Sequence, residues 1–524
     1  MKLIHAAIAA TALAATIGIF GASQAAQAPA PVVAVTGGQI RGAIADGQAV
    51  FLGVPYAGSP AGENRWKEAP AVRPWNGVKD ANAFGPSCMQ NFDFGATSED
   101  CLSLNIWTGE WPSAAPKPVM VWIHGGGDTS GGTNTPSFFG DNLAKKGVVV
   151  VTINYRLGAL GFLALPELSA ESANKASGNY GLLDIIQSLR WVKENITRFG
   201  GDPNNVVVFG QSAGAENVQR LMISPLAKGL FHKAIAQSGA LRRLDPTLAD
   251  MEAQCTQAIA GLNAPAQGKL AFLRRATAKQ LMDALDAADG KCRPLNLDGY
   301  VLPEQGFKVW AESRQAEVPF IGGNVARESY DEMTFEELKA DIAKKYGDLA
   351  PRAYTQYQLN GTAMPAPHPL YGFAYQQWGA DTNNRCRVAW QGLLHQGSAP
   401  FYEYEFQRNL PGQQANSNMH SNDVPYIFGM VFNPRYAANF TDQDREIAGT
   451  MQRYWVNFAK TGDPNDAQIQ ELWLKFDDGG RDYMEFGAQG PKARQHLRRG
   501  QCVLFLDSEK ARPTIDHPER SARW

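Results

Sequence analysis

Between Gly147 and Arg156 the chain reads GVVVVTINYR. A near-continuous run of β-branched apolar residues leaves no polar face for water. It fits a strand buried on both sides, as in a mostly parallel sheet covered by helices. The segment NYGLLDIIQSLRWVKENITRFGG follows, with Leu183, Ile186, Leu189 and Val192 spaced for one face of a helix that ends at Gly200 and Gly201. NVVVFG is then the next strand. Strand, helix, strand is the grammar of an α/β fold. LSLNIWTG, PVMVWIHGGG, HKAIAQSGA and PFIGGN read as further strands, and VVAVTGGQIRGAI and AVFLGVPYA as short strands before them. Residues 246–290 and 333–348 read as mostly helical, and MQRYWVNFAKTG as a late helix stopped by Gly462. The chain has 524 residues. A crude length guide would divide it into about three domains, but large α/β enzymes exceed that guide. With no internal repeat and no low-complexity linker, the expectation is one α/β domain over residues 26–524, a large mostly parallel sheet with helical insertions.

The first residues read differently. Lys2 precedes the apolar stretch LIHAAIAATALAATIGIFGA, and SQA ending at Ala25 offers small residues for cleavage. Residues 1–25 are therefore expected to be a removable signal peptide, with the mature chain exported to the periplasm or the extracellular space. No later stretch is apolar and long enough to span a bilayer. Six cysteines, Cys88, Cys101, Cys255, Cys292, Cys386 and Cys502, suit an oxidising compartment. No Cys-x-x-Cys spacing points to zinc. The formal net charge of −2, without a basic run, argues against a nucleic-acid partner.

Chemistry enters at VVVFGQSAGAENV, Val206 to Val218, where a strand runs into Gly-x-Ser-x-Gly and then a helix. Such a turn lifts a serine hydroxyl, here that of Ser212, above the backbone. Side chains at Gly210 and Gly214 would collide with neighbouring backbone, and the Ala213 N–H points toward the same space. The pattern alone arises by chance roughly 0.2–0.3 times in a chain this long, so its partners decide. A serine needs a base and a carboxylate to orient that base. After Ser212 and the nearby His232, the histidines are His368, His395, His420, His496 and His517. His420, in the polar loop NSNMHSNDVPYIFG, is the best placed. His395 reads as structural, and His496 and His517 as solvated. For the acid, PFIGGNVARESY runs from a strand to Glu328, with Asp331 and Glu332 as rivals. WIHGGG supplies Gly125, Gly126 and Gly127 at a strand end, whose N–H groups can approach a negative oxygen.

These motifs, with FLGVPYA, SEDCLSLNIW, NYRLGALGFL, GLFHKAIAQSG and YWVNFAKTGDPN, resemble the type-B carboxylesterase family, the carboxylesterase/cholinesterase branch of the α/β-hydrolase fold, from about Val32 to about Leu506. The resemblance implies Ser212 as nucleophile, Glu328 as acid and His420 as base, with Gly126, Gly127 and Ala213 as the oxyanion hole. It also implies disulfides Cys88–Cys101 and Cys386–Cys502, leaving Cys255 with Cys292, and supporting roles for Ser238 and Gln211. The chain departs from the family in three places. The acid is written RESY rather than Asp-Glu-Gly, and Gln211 stands where glutamate is common. The loop MQNFDFGATSED, between the first two cysteines, carries no tryptophan for a choline head. Asp128 and Glu216 are acids near the site, either facing the pocket and favouring polar or cationic substrates or bracing loops. The implied reaction is hydrolysis of a small-molecule carboxylic ester through an acyl-enzyme, with no metal or organic cofactor. Rival readings are a specialised ester, carbamate or amide hydrolase of the same fold, or a silent binding protein. The sequence leaves the oligomeric state open.

Overall fold

The computed structural model of the protein describes residues 30–241, 244–288, 292, 295–328, 332–397, 399–477 and 479–510. The leader, Ser329, Asp331 and His517 lie outside the described residues. Strand residues alternate between two faces, so a strand apolar throughout must be covered on both. This is what Val149–Ile153 does. Val149, Val151 and Ile153 enter one core with Leu182, Ile185 and Leu189. Val150 faces the other, with Met120, Trp122, Phe209, Met451 and Trp455. Burying each Val or Leu side chain is worth about 1.5–3 kcal/mol relative to exposure.

Eleven strands form the central sheet among the described residues. In chain order they are β1 (Ala43–Ala45), β2 (Gln48–Pro55), β3 (Ser103–Thr108), β4 (Lys117–Ile123), β5 (Val149–Ile153), β6 (Gly201–Gln211), β7 (Lys233–Gln237), β8 (Phe320–Val325), β9 (Phe401–Phe406), β10 (Asp482–Gly487) and β11 (Gly490–Gln495). Their spatial order is β11-β10-β9-β8-β7-β6-β4-β5-β3-β2-β1. From β5 to β10 every neighbouring pair is parallel, and the pairs at both edges are antiparallel. The C-terminal ends of β4, β6, β7 and β8 therefore stand side by side, where ligands bind in open α/β sheets.

Nine of the helices are α1 (Tyr180–Asn195), α2 (Ala213–Ile223), α3 (Leu248–Ala258), α4 (Lys269–Arg275), α5 (Ala278–Asp286), α6 (Phe335–Tyr346), α7 (Cys386–His395), α8 (Asp442–Thr461) and α9 (Arg499–Lys510). Thr334 and Thr441 cap α6 and α8 in reciprocal boxes with Glu337 and Asp444. Gly462 ends α8 in the left-handed conformation, as the sequence predicts. Helix α1 differs from its expected single face. Leu182, Ile185, Ile186, Leu189, Trp191 and Val192 are all buried, while Leu183 is only partly so. Asp184 is buried too, paired with Arg156 at 2.7 Å. Helices α3 to α5 pack on a third cluster that includes Met251, Leu273, Leu281 and Trp66. The disulfides are Cys88–Cys101, Cys255–Cys292 and Cys386–Cys502. No helix among the described residues is long and apolar enough to cross a membrane.

Candidate active site

Strand β6 ends at Gln211 and α2 begins at Ala213, so Ser212 is the whole of the turn. Its backbone is strained, at φ 58° and ψ −128°, a region that costs about 1–3 kcal/mol and collects at functional sites. Ser212 N donates to Gln237 O at 2.8 Å, which pins the elbow to the end of β7. A Cβ at Gly214 would lie 2.1 Å from Ile123 O, and one at Gly210 would lie 2.6 Å from Gly214 backbone atoms. The two glycines let β4, β6 and α2 meet. As the first residue of α2, Ala213 keeps an N–H with no intrahelical partner, at the positive end of the helix dipole.

The glycine run leaves β4 beside this turn. A Cβ at Gly125 would lie 2.9 Å from Ser212 Cβ. Gly126, at φ +102°, turns the chain, and Thr129 N and Ser130 N both donate to Gly126 O. His124, stacked on Tyr155, is pushed down to about 4 by burial and stays neutral.

Glu328 lies three residues beyond β8 and is buried. Its Oε1 accepts from Val325 N at 2.8 Å, and its Oε2 accepts from His420 Nδ1 at 2.6 Å. A carboxylate only accepts, so Nδ1 carries the hydrogen and Nε2 is bare. Nε2 accepts from the Gln211 carboxamide at 3.1 Å. The imidazole edge thus faces the residue before Ser212, and a hydrogen bond from Ser212 Oγ to His420 is not formed. Such bonds are often long without substrate and tighten in the complex. Burial opposes charge on His420. The hydrogen bond and charge of Glu328, aided by Asp423 and Glu216, outweigh it and hold the imidazole above its ordinary pKa.

The other candidates separate cleanly. His395 is buried, bonded to Val318 O at 2.9 Å and depressed to about 4 by burial, a structural histidine as expected. Glu332 is exposed. Ser238 is buried at φ 52°, its N donating to Gly323 O at 2.8 Å, while its Oγ has no partner among the described residues. It joins β7 to β8 beneath the elbow through its backbone. Asp128 does not face the pocket. It is buried, accepts from Tyr155 Oη at 3.1 Å and Asn217 Nδ2 at 2.8 Å, and is raised to about 6 by burial. It braces loops. Glu216 pairs with buried Arg220 at 3.2 Å.

Two residues escape sequence reasoning. Asp423, three positions after His420, accepts from Tyr404 Oη at 2.7 Å and Gln237 Nε2 at 3.0 Å behind the imidazole. Arg327, next to Glu328, bonds to the segment at Leu370 and to two points of the loop that carries His420. The only sequence hint for either is a charge beside a candidate. A cavity of about 380 Å³ opens at the imidazole, floored by Gly125, Gly126 and Gln211 and walled by Phe94, Phe138 and Leu410. Thr135 and Ser137 add hydroxyls, and no carboxylate, Lys or Arg appears among its described lining. Among the described residues no cluster of His, Cys, Asp or Glu could hold a metal ion.

A mostly parallel sheet with a serine elbow at the end of a central strand defines an α/β-hydrolase. The carboxylesterase family model matches residues 29–505, and the chain belongs to that family. It is 36% identical over 468 residues to the fumonisin B1 esterase of Sphingopyxis macrogoltabida, covering 84% of this chain and 83% of that protein. It is 33% identical over 475 residues to the para-nitrobenzyl esterase of Bacillus subtilis (strain 168), covering 84% and 91%. A solved PNB esterase superposes with a TM-score of 0.78 at 30% identity, covering 91% of this chain and all of the other. The chain is a carboxylic ester hydrolase.

Proposed function

We propose that Ser212, His420 and Glu328 carry out this hydrolysis through an acyl-enzyme. The observation that supports the reading most is the 2.6 Å Glu328–His420 bond. It fixes the tautomer with bare Nε2 on the side of the elbow. In this mechanism His420 Nε2 takes the Ser212 proton as Oγ attacks the ester carbonyl. Glu328 stabilises the imidazolium, and the N–H groups of Gly126, Gly127 and Ala213 receive the oxyanion. His420 protonates the leaving alcohol, and water then repeats the sequence on the acyl group. The cavity walled by Phe94, Phe138 and Leu410 suits an uncharged group of modest size.

Stopped-flow hydrolysis of p-nitrophenyl acetate tests this. The wild type is expected to release a burst of nitrophenol equal to the enzyme concentration. Ser212→Ala is expected to lose on the order of 10⁴–10⁶-fold in kcat with the fold intact. Retained turnover in that variant would remove Ser212 from the mechanism. The relative's name makes fumonisin B1 a worthwhile member of the substrate panel, beside p-nitrobenzyl esters and amides. We read the mature chain as exported, in keeping with its three disulfides.

A further inference from the structure

His420 has neither helix nor strand of its own. Residues 407–423, which leave β9 and carry it, form no ladder. Without a ladder, their backbone is held by local turns, by a few backbone bonds to neighbouring segments and by side chains. Arg327 supplies much of that hold. It is 2% exposed. Its Nε donates to Ser417 O at 2.8 Å, one Nη to Leu370 O at 2.5 Å, and the other Nη to Asn409 Oδ1. Its own carbonyl accepts from Met419 N at 2.9 Å, one residue before the imidazole. The start and end of the histidine loop, and the segment at Leu370, are thus tied to the residue preceding Glu328. Arg385 Nη2 in turn donates to Ala326 O at 2.8 Å, anchoring the same stretch from below.

Among the described residues Arg327 bonds to two carbonyls and an amide oxygen and forms no ion pair with a carboxylate. A buried cation without a counter-charge costs free energy. What it provides is a planar fork with donors in fixed directions, able to reach both ends of the histidine loop and the segment at Leu370 at once. A lysine ammonium cannot span them. We propose that Arg327 is a positioning residue, which fixes the loop so that the His420 imidazole is held against Glu328 and presented to the Ser212 elbow. The proposal rests on the reading of His420 as the base.

The test compares full-length Arg327→Met and Arg327→Lys with the wild type and His420→Asn, using p-nitrophenyl acetate and near-UV circular dichroism. Arg327→Met is expected to lose about 10- to 100-fold in kcat with little change in KM, because a misplacement of about 1 Å costs about 10²-fold. The acid limb of kcat/KM is expected to move to lower pH as the imidazole leaves Glu328, with Asp423 and Glu216 the acids that still act on it among the described residues. Loss of a nearby positive charge alone would move that limb the other way. Arg327→Lys is expected to stay impaired. In a further variant, Arg327→Ala, added guanidinium below denaturing levels is expected to raise kcat saturably where sodium chloride does not. Wild-type kcat in Arg327→Met, an upward shift of the limb, or a loss that only follows the unfolded fraction would overturn the proposal. Full turnover by His420→Asn would instead overturn the base assignment beneath it.

Discussion

At Ser212 a single residue carries both the strain and the proposed chemistry. The signal is local: two glycines, a β-branched strand before, a helix after. The turn was therefore legible, and so were the collisions at Gly210 and Gly214. Glu328 and His420 were legible as loop residues, but their 2.6 Å contact spans 92 positions and no spacing announces it. Asp423 and Arg327 were missed for the same reason, since the partners of the first come from strands β7 and β9 and those of the second from distant loop segments. Asp128 was read two ways, and burial against Tyr155 and Asn217 decides for bracing. The electrostatics gives a signed prediction. A base works deprotonated, and Glu328 holds His420 charged to higher pH than an ordinary imidazole. The acid limb of kcat/KM should therefore lie above the ordinary imidazole range of about 6.5. Glu328→Gln should move it downward while lowering kcat on the order of 10²–10⁴-fold. A pH–rate series on both proteins checks this, and an unmoved limb would separate Glu328 from the base.

Among the elements, the strands were the easiest to read, because burial on both faces leaves an uninterrupted apolar run. Helix α1 was harder. Its expected face missed Leu182 and Ile185 because the helix is covered nearly all round, and the 3.6-residue period then carries less information. Helices α3 to α5 pack with Trp66 and residues 159–168 in a small cluster apart from the two main cores, and Cys255–Cys292 ties them across 37 positions. Closing a loop of that length removes unfolded-state entropy worth about 4 kcal/mol. None of these helices lines the cavity beside His420. Replacing both cysteines by serine should lower the thermal midpoint, with α3 to α5 losing amide-exchange protection first, and leave kcat/KM at 25 °C unchanged. Activity falling in step with their protection would mean that these helices shape the pocket.

For the molecule as a whole, the α/β class followed from strand and helix alternation. The strand order did not, because β4 and β5 exchange places relative to the chain and only tertiary pairing records that. The leader reading predicts a mature chain beginning at Ala26, with intact mass lower by residues 1–25 and by six hydrogens for three disulfides. A retained leader in material from the exporting cell would reject it. The whole account turns on three distant side chains acting as one nucleophilic centre. Stoichiometric labelling with an organophosphate, followed by peptide mass spectrometry, measures that most directly. The account predicts one phosphoryl adduct, on Ser212, appearing at the rate at which esterase activity disappears and absent in His420→Asn. Full activity with Ser212 labelled, or inactivation with the adduct elsewhere, would contradict it.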